Sequence, residues 1–330
     1  MSASFAMTST LLWFCQKKIN MLYYRFPGEE PQCLEGDFVQ TESIEKHHFI
    51  VTDFDQQYKY FWSSDTTPTS TAQNAPFCID KEAYLRQAQQ LIKDLSRGIA
   101  DKIVLSRIKR SERLVSDPKQ LYDKLLLNYP NALVYYFHDT VLGSWIGASP
   151  EILIERTQSN WRTMALAGTK PTASARDFTH KEYNEHAMVT EFIEGQLRQI
   201  PGANVQVAAI QTYSPGPVTH LLQELTWQMP NRVLPLLLKH LHPTPAVAGL
   251  PKKVALQYLA ATEHHERGLY AGIIGRASQG AQKLYVNLRC GSLIDRQLFC
   301  YVGGGFTPDS TADQEWEETE NKSQTLLRLL

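Results

Sequence analysis

The chain has 330 residues, which is enough for one large domain or two smaller ones with a substantial hydrophobic core. Hydrophobic residues make up 43% of it and charged residues 20%, which excludes the disordered and fibrous classes. The 33 basic and 34 acidic residues give a formal charge of −1, so we expect no nucleic-acid partner, and the sequence contains no apolar run of about 18 residues that could cross a membrane.

The N-terminal region carries no recognisable sequence signal for export. The apolar run 11–15 follows no charged residue and precedes no small-residue cleavage pattern, so we expect no secretory signal peptide. The cysteines are odd in number and form no C-x-x-C pair, which argues against disulfides and structural zinc and favours free thiols in the cytoplasm. These cysteines are Cys15, Cys33, Cys78, Cys290 and Cys300.

Hydrophobic periodicity and capping residues predict the elements after a Ser-, Thr- and Pro-rich surface loop at 63–75. In chain order they are a helix at 80–97, a strand at 102–108, a helix at 117–127, strands at 132–138, 141–146, 151–156 and 161–166, a capping-box helix at 179–200, strands at 205–212 and 218–227, helices at 233–240 and from 251, strands at 269–277, 283–293 and 297–302, a glycine turn at 303–305 and a helix from 311. Many consecutive hairpin-linked strands without regular βαβ alternation predict an α+β fold with antiparallel sheets.

Two of the predicted helices carry carboxylates at helical spacing. Glu315, Glu318 and Lys322 share one face of the last helix, and Glu182 and Glu185 share a face of the capping-box helix. Carboxylates from two helices that meet in a cleft would suit Mg²⁺, which takes few protein oxygens and keeps several waters. Spacing alone equally allows two solvated charged faces. The three glycines before the last helix would let backbone N–H groups approach an anion.

Three further polar residues lie in strands or at their ends. Lys102, among apolar neighbours, is either a buried catalytic amine or a lysine whose ammonium reaches solvent at a sheet edge. Glu151 follows a Gly-Ala-Ser-Pro turn, and His220 could be a core polar group. The chain contains no P-loop, G-x-G-x-x-G, H-E-x-x-H or G-x-S-x-G motif. The residues alone therefore suggest a metal-dependent enzyme and name no substrate.

Seven segments, taken together and in order, resemble the chorismate-utilising enzymes, and within that family the isochorismate synthases. The segments are 102–107 (Lys-Ile-Val-Leu-Ser-Arg), 147–153 (Gly-Ala-Ser-Pro-Glu-Ile-Leu), 166–169 (Leu-Ala-Gly-Thr), 184–186 (Asn-Glu-His), 241–251 (Leu-His-Pro-Thr-Pro-Ala-Val-Ala-Gly-Leu-Pro), 288–290 (Leu-Arg-Cys) and 315–322. The resemblance implies an anthranilate synthase component I-like fold of two α/β lobes, with facing antiparallel sheets, helices outside and the active site between them. It covers a catalytic domain at 80–330, whereas residues 1–79 match no motif and are expected to add strands to one lobe.

The resemblance also implies roles for single residues. Lys102 falls on the general base and Glu151 on the general acid. Glu185 and Glu318 fall on the ligands of Mg²⁺, with Glu315 close to the metal. The positions predicted to bind substrate are Gly168, Thr169, His220, Ala246, Val247, Arg289, Gly303 and Lys322.

One position separates the branches of this family by chemistry. Members that add ammonia carry glutamine where Lys102 stands, whereas water needs a base, so the resemblance implies water as nucleophile and no glutamine amidotransferase partner. Aminodeoxychorismate synthases place a nucleophilic lysine where this chain has Ala167. The His-Pro-Thr-Pro run favours isochorismate synthases over salicylate synthases, which share the lysine base.

The implied activity is therefore the Mg²⁺-dependent isomerisation of chorismate to isochorismate, by attack of water at C2 and loss of the C4 hydroxyl. A salicylate synthase, which goes on to eliminate pyruvate, is one alternative, and a binding module without turnover is another. The Ala-Val-Ala-Gly-Leu-Pro run favours menaquinone over catechol siderophore biosynthesis as the pathway.

Overall fold

The computed structural model of the chain describes residues 20–45, 47–65, 73–214, 218–229, 233–278 and 281–330. The apolar run at 11–15, with Cys15, and most of the predicted loop at 63–75 lie outside these residues. No helix within the described ranges is both long and apolar enough to cross a bilayer.

The helices begin where the capping residues predict. The carboxylate of Asp80 accepts a hydrogen bond from Ala83 N at 2.8 Å, and Glu182 reaches back to Thr179 N at 2.6 Å as in a capping box. The helices are α1 (Lys81–Ser96), α2 (Pro118–Asn128), α3 (His180–Arg198), α4 (Leu234–Leu241), α5 (Lys252–Thr262) and α6 (Ala312–Leu327).

The described strands form two antiparallel sheets. The eight-stranded sheet has the spatial order β14 (Gly249–Leu250), β6 (Lys102–Leu114), β18 (Gln297–Phe306), β17 (Cys290–Ile294), β8 (Gly143–Ser149), β7 (Leu133–Asp139), β1 (Met21–Arg25) and β2 (Gln32–Glu35). The ten-stranded sheet has the order β11 (Gln206–Val207), β13 (Val218–Gln228), β10 (Asn160–Pro171), β9 (Ile152–Thr157), β16 (Ala281–Val286), β15 (Ile273–Arg276), β4 (Ile50–Thr52), β5 (Lys59–Ser63) and β3 (Asp37–Gln40), with β12 (Gln211–Tyr213) also beside β13.

The two sheets share one core, and the helices cover their outer faces. Phe38 of the ten-stranded sheet packs edge-on against Phe137 of the eight-stranded sheet, with ring centroids 4.9 Å apart. Helices α1, α2, α5 and α6 contact the eight-stranded sheet, α3 contacts the ten-stranded sheet, and α4 packs against α3. The predicted α+β fold with facing antiparallel sheets is confirmed.

The described residues before 80 do not join one lobe alone, in contrast to the prediction for residues 1–79. Strands β1 and β2 extend the eight-stranded sheet, and β3, β4 and β5 extend the ten-stranded sheet. The chain passes from one sheet to the other at Gly36, where φ is +144° and an added Cβ would lie 2.0 Å from the Ser63 carbonyl oxygen. That prediction is wrong on this point because a single glycine is sufficient for the crossing. The boundary at residue 80 stays a prediction.

Three local predictions also need correction. Residues 303–305 are not a turn but the end of β18, where they pair with residues 104–106 of β6. The predicted strand 283–293 is two strands, β16 and β17, because the chain bends between them at Arg289, which has φ +51°. The predicted strand 205–212 is likewise the short pair β11 and β12.

Candidate active site

A cavity lies between the two sheets, where β6 and β18 approach β10 and β13. Most of the residues predicted to act on or bind a substrate line it, together with several aromatic and apolar side chains. The predicted residues in its wall are Lys102, Glu151, Thr169, Glu185, His220, Ala246, Arg289, Gly303 and Lys322.

Lys102 is the buried cation of this cavity. Its side chain is 1% exposed, and its Nζ lies 2.8 Å from Glu185 Oε1. This burial excludes the interpretation in which the ammonium reaches solvent. The approach of the two side chains requires Gly305 on the neighbouring strand, because an added Cβ there would lie 2.6 Å from Glu185 Oε1 and 2.9 Å from Lys102 Cε. The glycines predicted to form a turn therefore leave room for a buried ion pair.

Glu151 follows β8 and is buried in the same cavity wall. Burial raises the pKa of its carboxyl to about 8, although Lys102, Lys322 and Arg289 oppose the shift. At neutral pH the protonated form therefore predominates, and this side chain can donate a proton to a group in the cavity.

Arg289, His220 and Thr169 form a hydrogen-bonded row along the cavity. Arg289 Nη2 lies 3.1 Å from His220 Nε2, and His220 Nδ1 lies 3.0 Å from Thr169 Oγ1. Burial, then Arg289 and Lys322, hold the pKa of His220 well below its usual value, so the imidazole is neutral. Because arginine can only donate, Nε2 is the acceptor and the ring proton lies on Nδ1, facing Thr169.

One end of this row is positively charged, and one of its hydrogen-bond donors has no acceptor among the described residues. Arg289 Nη1 is buried and has no hydrogen-bond partner among the residues that the structure describes. Lys322 Nζ donates to the Gly303 carbonyl at 2.8 Å and lies 2.6 Å from Glu318 Oε1. A buried guanidinium nitrogen without an acceptor and a neighbouring ammonium are suited to a ligand that carries carboxylates.

The predicted metal ligands line an adjoining cavity, which Glu185 shares with the first. Glu315 is 2% exposed; its Oε1 pairs with Lys181 Nζ at 2.7 Å, and its Oε2 has no partner in the described part of the chain. Burial and the charges of Glu318 and Glu185 raise the pKa of Glu315 to about 7, against the effect of Lys181. Each of these negative charges destabilises the others, so a bound cation would stabilise the ionised carboxylates.

These carboxylates are not arranged as a preassembled metal centre. The described residues contain no group of three His, Cys, Asp or Glu side chains placed to hold a metal ion. Glu185 is paired with Lys102, and Glu318 is paired with Lys322. Glu182, the other acidic residue considered on α3, is paired with Arg176 and caps its own helix.

Two residues predicted to bind substrate do not line the cavity. Gly168 is a bulge in β10, with φ +69°, and an added Cβ would lie 2.7 Å from the Glu182 carbonyl oxygen. Val247 is 2% exposed, and its carbonyl accepts a hydrogen bond from Arg267 Nη1 at 2.7 Å. Their contact with substrate stays a prediction.

Sequence reasoning missed two tyrosines of the cavity wall. Tyr270 and Tyr301 stack with ring centroids 6.0 Å apart, and the Tyr270 hydroxyl lies 2.9 Å from the position of a Cβ on Gly303. Both are aromatic residues in or beside strands, and nothing in such a pattern separates a cavity wall from ordinary core.

Comparison with known proteins agrees with this architecture. The family model described as chorismate binding enzyme matches residues 39–330 of this chain, which fold as two facing antiparallel sheets with a cationic cavity between them. The chain belongs to this family of enzymes.

The named relatives include both an anthranilate synthase component and an isochorismate synthase. The chain is 28% identical over 265 residues to anthranilate synthase component 1 of Aquifex aeolicus, which covers 76% of this chain and 52% of the relative. It is 29% identical over 244 residues to isochorismate synthase EntC of Escherichia coli, which covers 69% of this chain and 62% of the relative. The chain thus spans a little over half the length of these relatives.

A solved structure confirms the fold. The menaquinone-specific isochorismate synthase MenF of Escherichia coli superposes with a TM-score of 0.78 at 22% identity, over 95% of this chain and 90% of that one.

Replacing Glu151 by Gln should change how stability depends on pH. The folded protein holds the Glu151 proton up to about pH 8, whereas the unfolded chain, with a pKa near 4.5, releases it earlier. Between these pH values the free energy of unfolding of the wild type should therefore fall relative to that of Glu151→Gln. Above about pH 8 the difference should stay constant, at several kcal/mol in total. Urea unfolding across this range measures the difference. The exposed Glu191→Gln on α3 is the control, and a Glu151→Gln curve parallel to wild type would show that Glu151 ionises normally.

Proposed function

We propose that this protein is an isochorismate synthase, which converts chorismate to isochorismate. The observation that carries the proposal is the pairing, in one cavity, of a buried lysine with a carboxyl group that burial keeps protonated. Lys102 and Glu151 are thereby suited to opposite proton transfers. The named isochorismate synthases among the relatives support the same assignment.

The carboxylates of the substrate would be held by the cationic end of the cavity. Arg289 Nη1 offers an unpartnered donor, and Lys322 offers an ammonium beside the Gly303 carbonyl. The neutral His220 fixes one guanidinium nitrogen of Arg289 and directs its own Nδ1 proton to Thr169. Thr169 keeps its hydroxyl proton for a ligand. This row would orient the ring before any bond changes.

The reaction exchanges one hydroxyl position for another without net loss of atoms. Lys102 is a cation paired with Glu185 in the structure, so this step requires that it first give up its own proton. It then takes a proton from water as the oxygen attacks C2, and the double bonds of the ring shift. Glu151 gives its proton to the departing C4 hydroxyl, which leaves as water. One water molecule enters and one leaves, so substrate and product are isomers.

The same residues support water rather than ammonia as the nucleophile. Ammonia needs no base, and a buried lysine in the cavity would then have no proton to accept. Ala167 lines the cavity with a methyl group, so it offers no amine for covalent attack at the position used by aminodeoxychorismate synthases. We therefore propose that turnover needs no glutamine amidotransferase partner.

The unpartnered Oε2 of Glu315 and the neighbouring carboxylates support a magnesium site in the acidic cavity. We propose that Glu185 and Glu318 hold the ion and that Glu315, with its unpartnered Oε2, lies close to it. When bound, the ion supplies positive charge that neutralises a substrate carboxylate. Lys181 and Ser310 hold the other oxygen of Glu315 in place, at 2.7 and 2.8 Å.

The pathway and the location of the protein stay predictions. Structural neighbours are named for menaquinone and for 2,3-dihydroxybenzoate. The sequence run at 246–251 favours menaquinone, and the free cysteines favour the cytoplasm.

The product identifies the branch of the family. The purified chain incubated with chorismate and Mg²⁺, without glutamine or ammonia, should yield isochorismate in equilibrium with chorismate, as resolved by chromatography. Salicylate with stoichiometric pyruvate would assign the protein to the salicylate synthases instead. Anthranilate formed on adding ammonia, or no turnover at all, would contradict the proposal.

Removing either proton-transfer group should slow the chemical step. Lys102→Ala and Glu151→Gln should each lower kcat by at least about 10²-fold, because general acid–base assistance is worth about that much or more. The KM for chorismate should change little, since neither residue is assigned to the carboxylates. Lys109→Ala, on the same strand but paired with Glu320, is the matched control and should keep its kcat. A Lys102→Ala enzyme with normal kcat and raised KM would make the lysine a binding residue only.

Glu318→Gln should weaken the binding of magnesium. The substitution keeps the size of the side chain and removes one charged oxygen ligand, so we expect the affinity for Mg²⁺ to fall at least about 10-fold. Calorimetric titration with Mg²⁺, in the absence of substrate, measures this directly. Glu191→Gln on the exposed face of α3 serves as the control. Unchanged affinity in Glu318→Gln would remove this residue from the site.

A further inference from the structure

Strand β6, which carries Lys102, loses its neighbour on one side after two residues. Strand β14 pairs with it only at Ile103 and Lys102, and the last backbone bond on that side runs from Val104 N to Ala248 O at 2.9 Å. The segment before β14, residues 244–248, then turns away. Two buried backbone groups on this edge, the Val104 carbonyl and the Ser106 N–H, are left without a strand partner, which would be costly without other partners.

A buried ion pair takes the place of the missing strand. Arg267 Nη2 donates to the Val104 carbonyl at 2.7 Å, and Glu263 Oε1 accepts from Ser106 N at 2.7 Å. The two side chains are 4% and 7% exposed and lie 2.7 Å apart. Glu263 also accepts from the Ser106 hydroxyl at 2.8 Å. Each charge is thus paired and hydrogen-bonded, as a buried pair requires.

The same guanidinium reaches the segment that turned away. Arg267 Nη1 donates to the Val247 carbonyl at 2.7 Å. Ala246 and Val104 line the substrate cavity, whereas Arg267 and Glu263 do not. One side chain therefore joins the segment 246–248, of which Ala246 lines the cavity, to the strand that begins with the proposed base, Lys102.

We propose that Arg267, held in place by Glu263, is a positioning residue of the active site. It fixes the segment 246–248 against β6 and so sets where the ring of the substrate lies relative to Lys102. The inference rests on the proposed function for its catalytic consequence, but the clamp itself is a property of the protein without substrate. A displacement of about 1 Å in a reacting geometry can cost as much as 10²-fold in rate.

Arg267→Lys tests the geometry of the clamp while keeping its charge. A lysine ammonium is a compact donor on a flexible stem and cannot bridge two carbonyls and a carboxylate as the planar guanidinium does. We expect kcat to fall about 10-fold or more, with the KM for chorismate within about threefold of wild type, because Arg289 and Lys322 are untouched. In protein without substrate, the amides of Val247 and Ala248, which donate to the Thr244 carbonyl, should exchange hydrogen faster.

Arg156→Lys is the matched control. Arg156 is also a buried arginine, 5% exposed, and it donates to Gln282 at 2.9 Å on β16, away from the cavity wall. This variant should lose thermal stability and keep its kcat, which separates the loss of a buried guanidinium from the loss of the clamp. If Arg267→Lys does not fold, Glu263→Gln provides the second test, because it keeps the shape of the acceptor and removes the ion pair.

The outcomes distinguish the clamp from the proposed activity. Wild-type kcat in a folded Arg267→Lys protein, or equal loss of kcat in Arg156→Lys, would overturn the positioning role. If wild-type protein does not turn over chorismate, the proposed function fails, and hydrogen exchange alone then decides: unchanged exchange at Val247 and Ala248 in Arg267→Lys would overturn the clamp as well.

Discussion

The pairing of buried charges is the constraint on which this structure depends. Lys102 and Arg289 lie in a cavity between two sheets, where an unpaired charge would be expensive. Lys102 is paired with Glu185 from α3. Arg289 donates one hydrogen bond, from Nη2, to the neutral His220 of β13, and its Nη1 has no partner among the described residues. Lys102 and Glu185 come from opposite sides of the cavity, so their ion pair also connects the eight-stranded sheet to the helix that covers the ten-stranded sheet.

Glycines allow the acidic side chains to lie close to the strands of the cavity wall. Gly304 and Gly305 leave space for the carboxylates of Glu315 and Glu185, since a Cβ at these positions would lie 3.0 and 2.6 Å from their oxygens. Gly168 lets the bulged strand β10 touch the backbone of α3. These glycines therefore let the acidic side chains of α6 and α3, and the backbone of α3, approach strands β18 and β10 closely.

Much of the fold could be predicted from local sequence signals. Capping residues such as Asp80 and Thr179 determine where helices begin, and the order of the motifs indicates the family. Residues 303–305 look like a turn because glycine is common in turns, yet here tertiary packing keeps them in a strand. The candidate site residues are indicated by the resemblance of their motifs. The ion pair of Lys102 and the hydrogen bond of Arg267 to Val104 join residues 83 and 163 positions apart in sequence, and no periodic pattern reveals contacts over such distances.

The crossing at Gly36 lets the described residues before 80 border both sheets. Strand β1 covers the edge of β7, and β4 covers the edge of β15. A protein shortened to begin at residue 80 would leave two rows of backbone N–H and C=O groups unpaired, one on each sheet, and such open edges recruit strands from other molecules. The seven motifs that resemble the family all lie beyond residue 80, but one edge of each sheet is covered by a part of the chain that carries none of them.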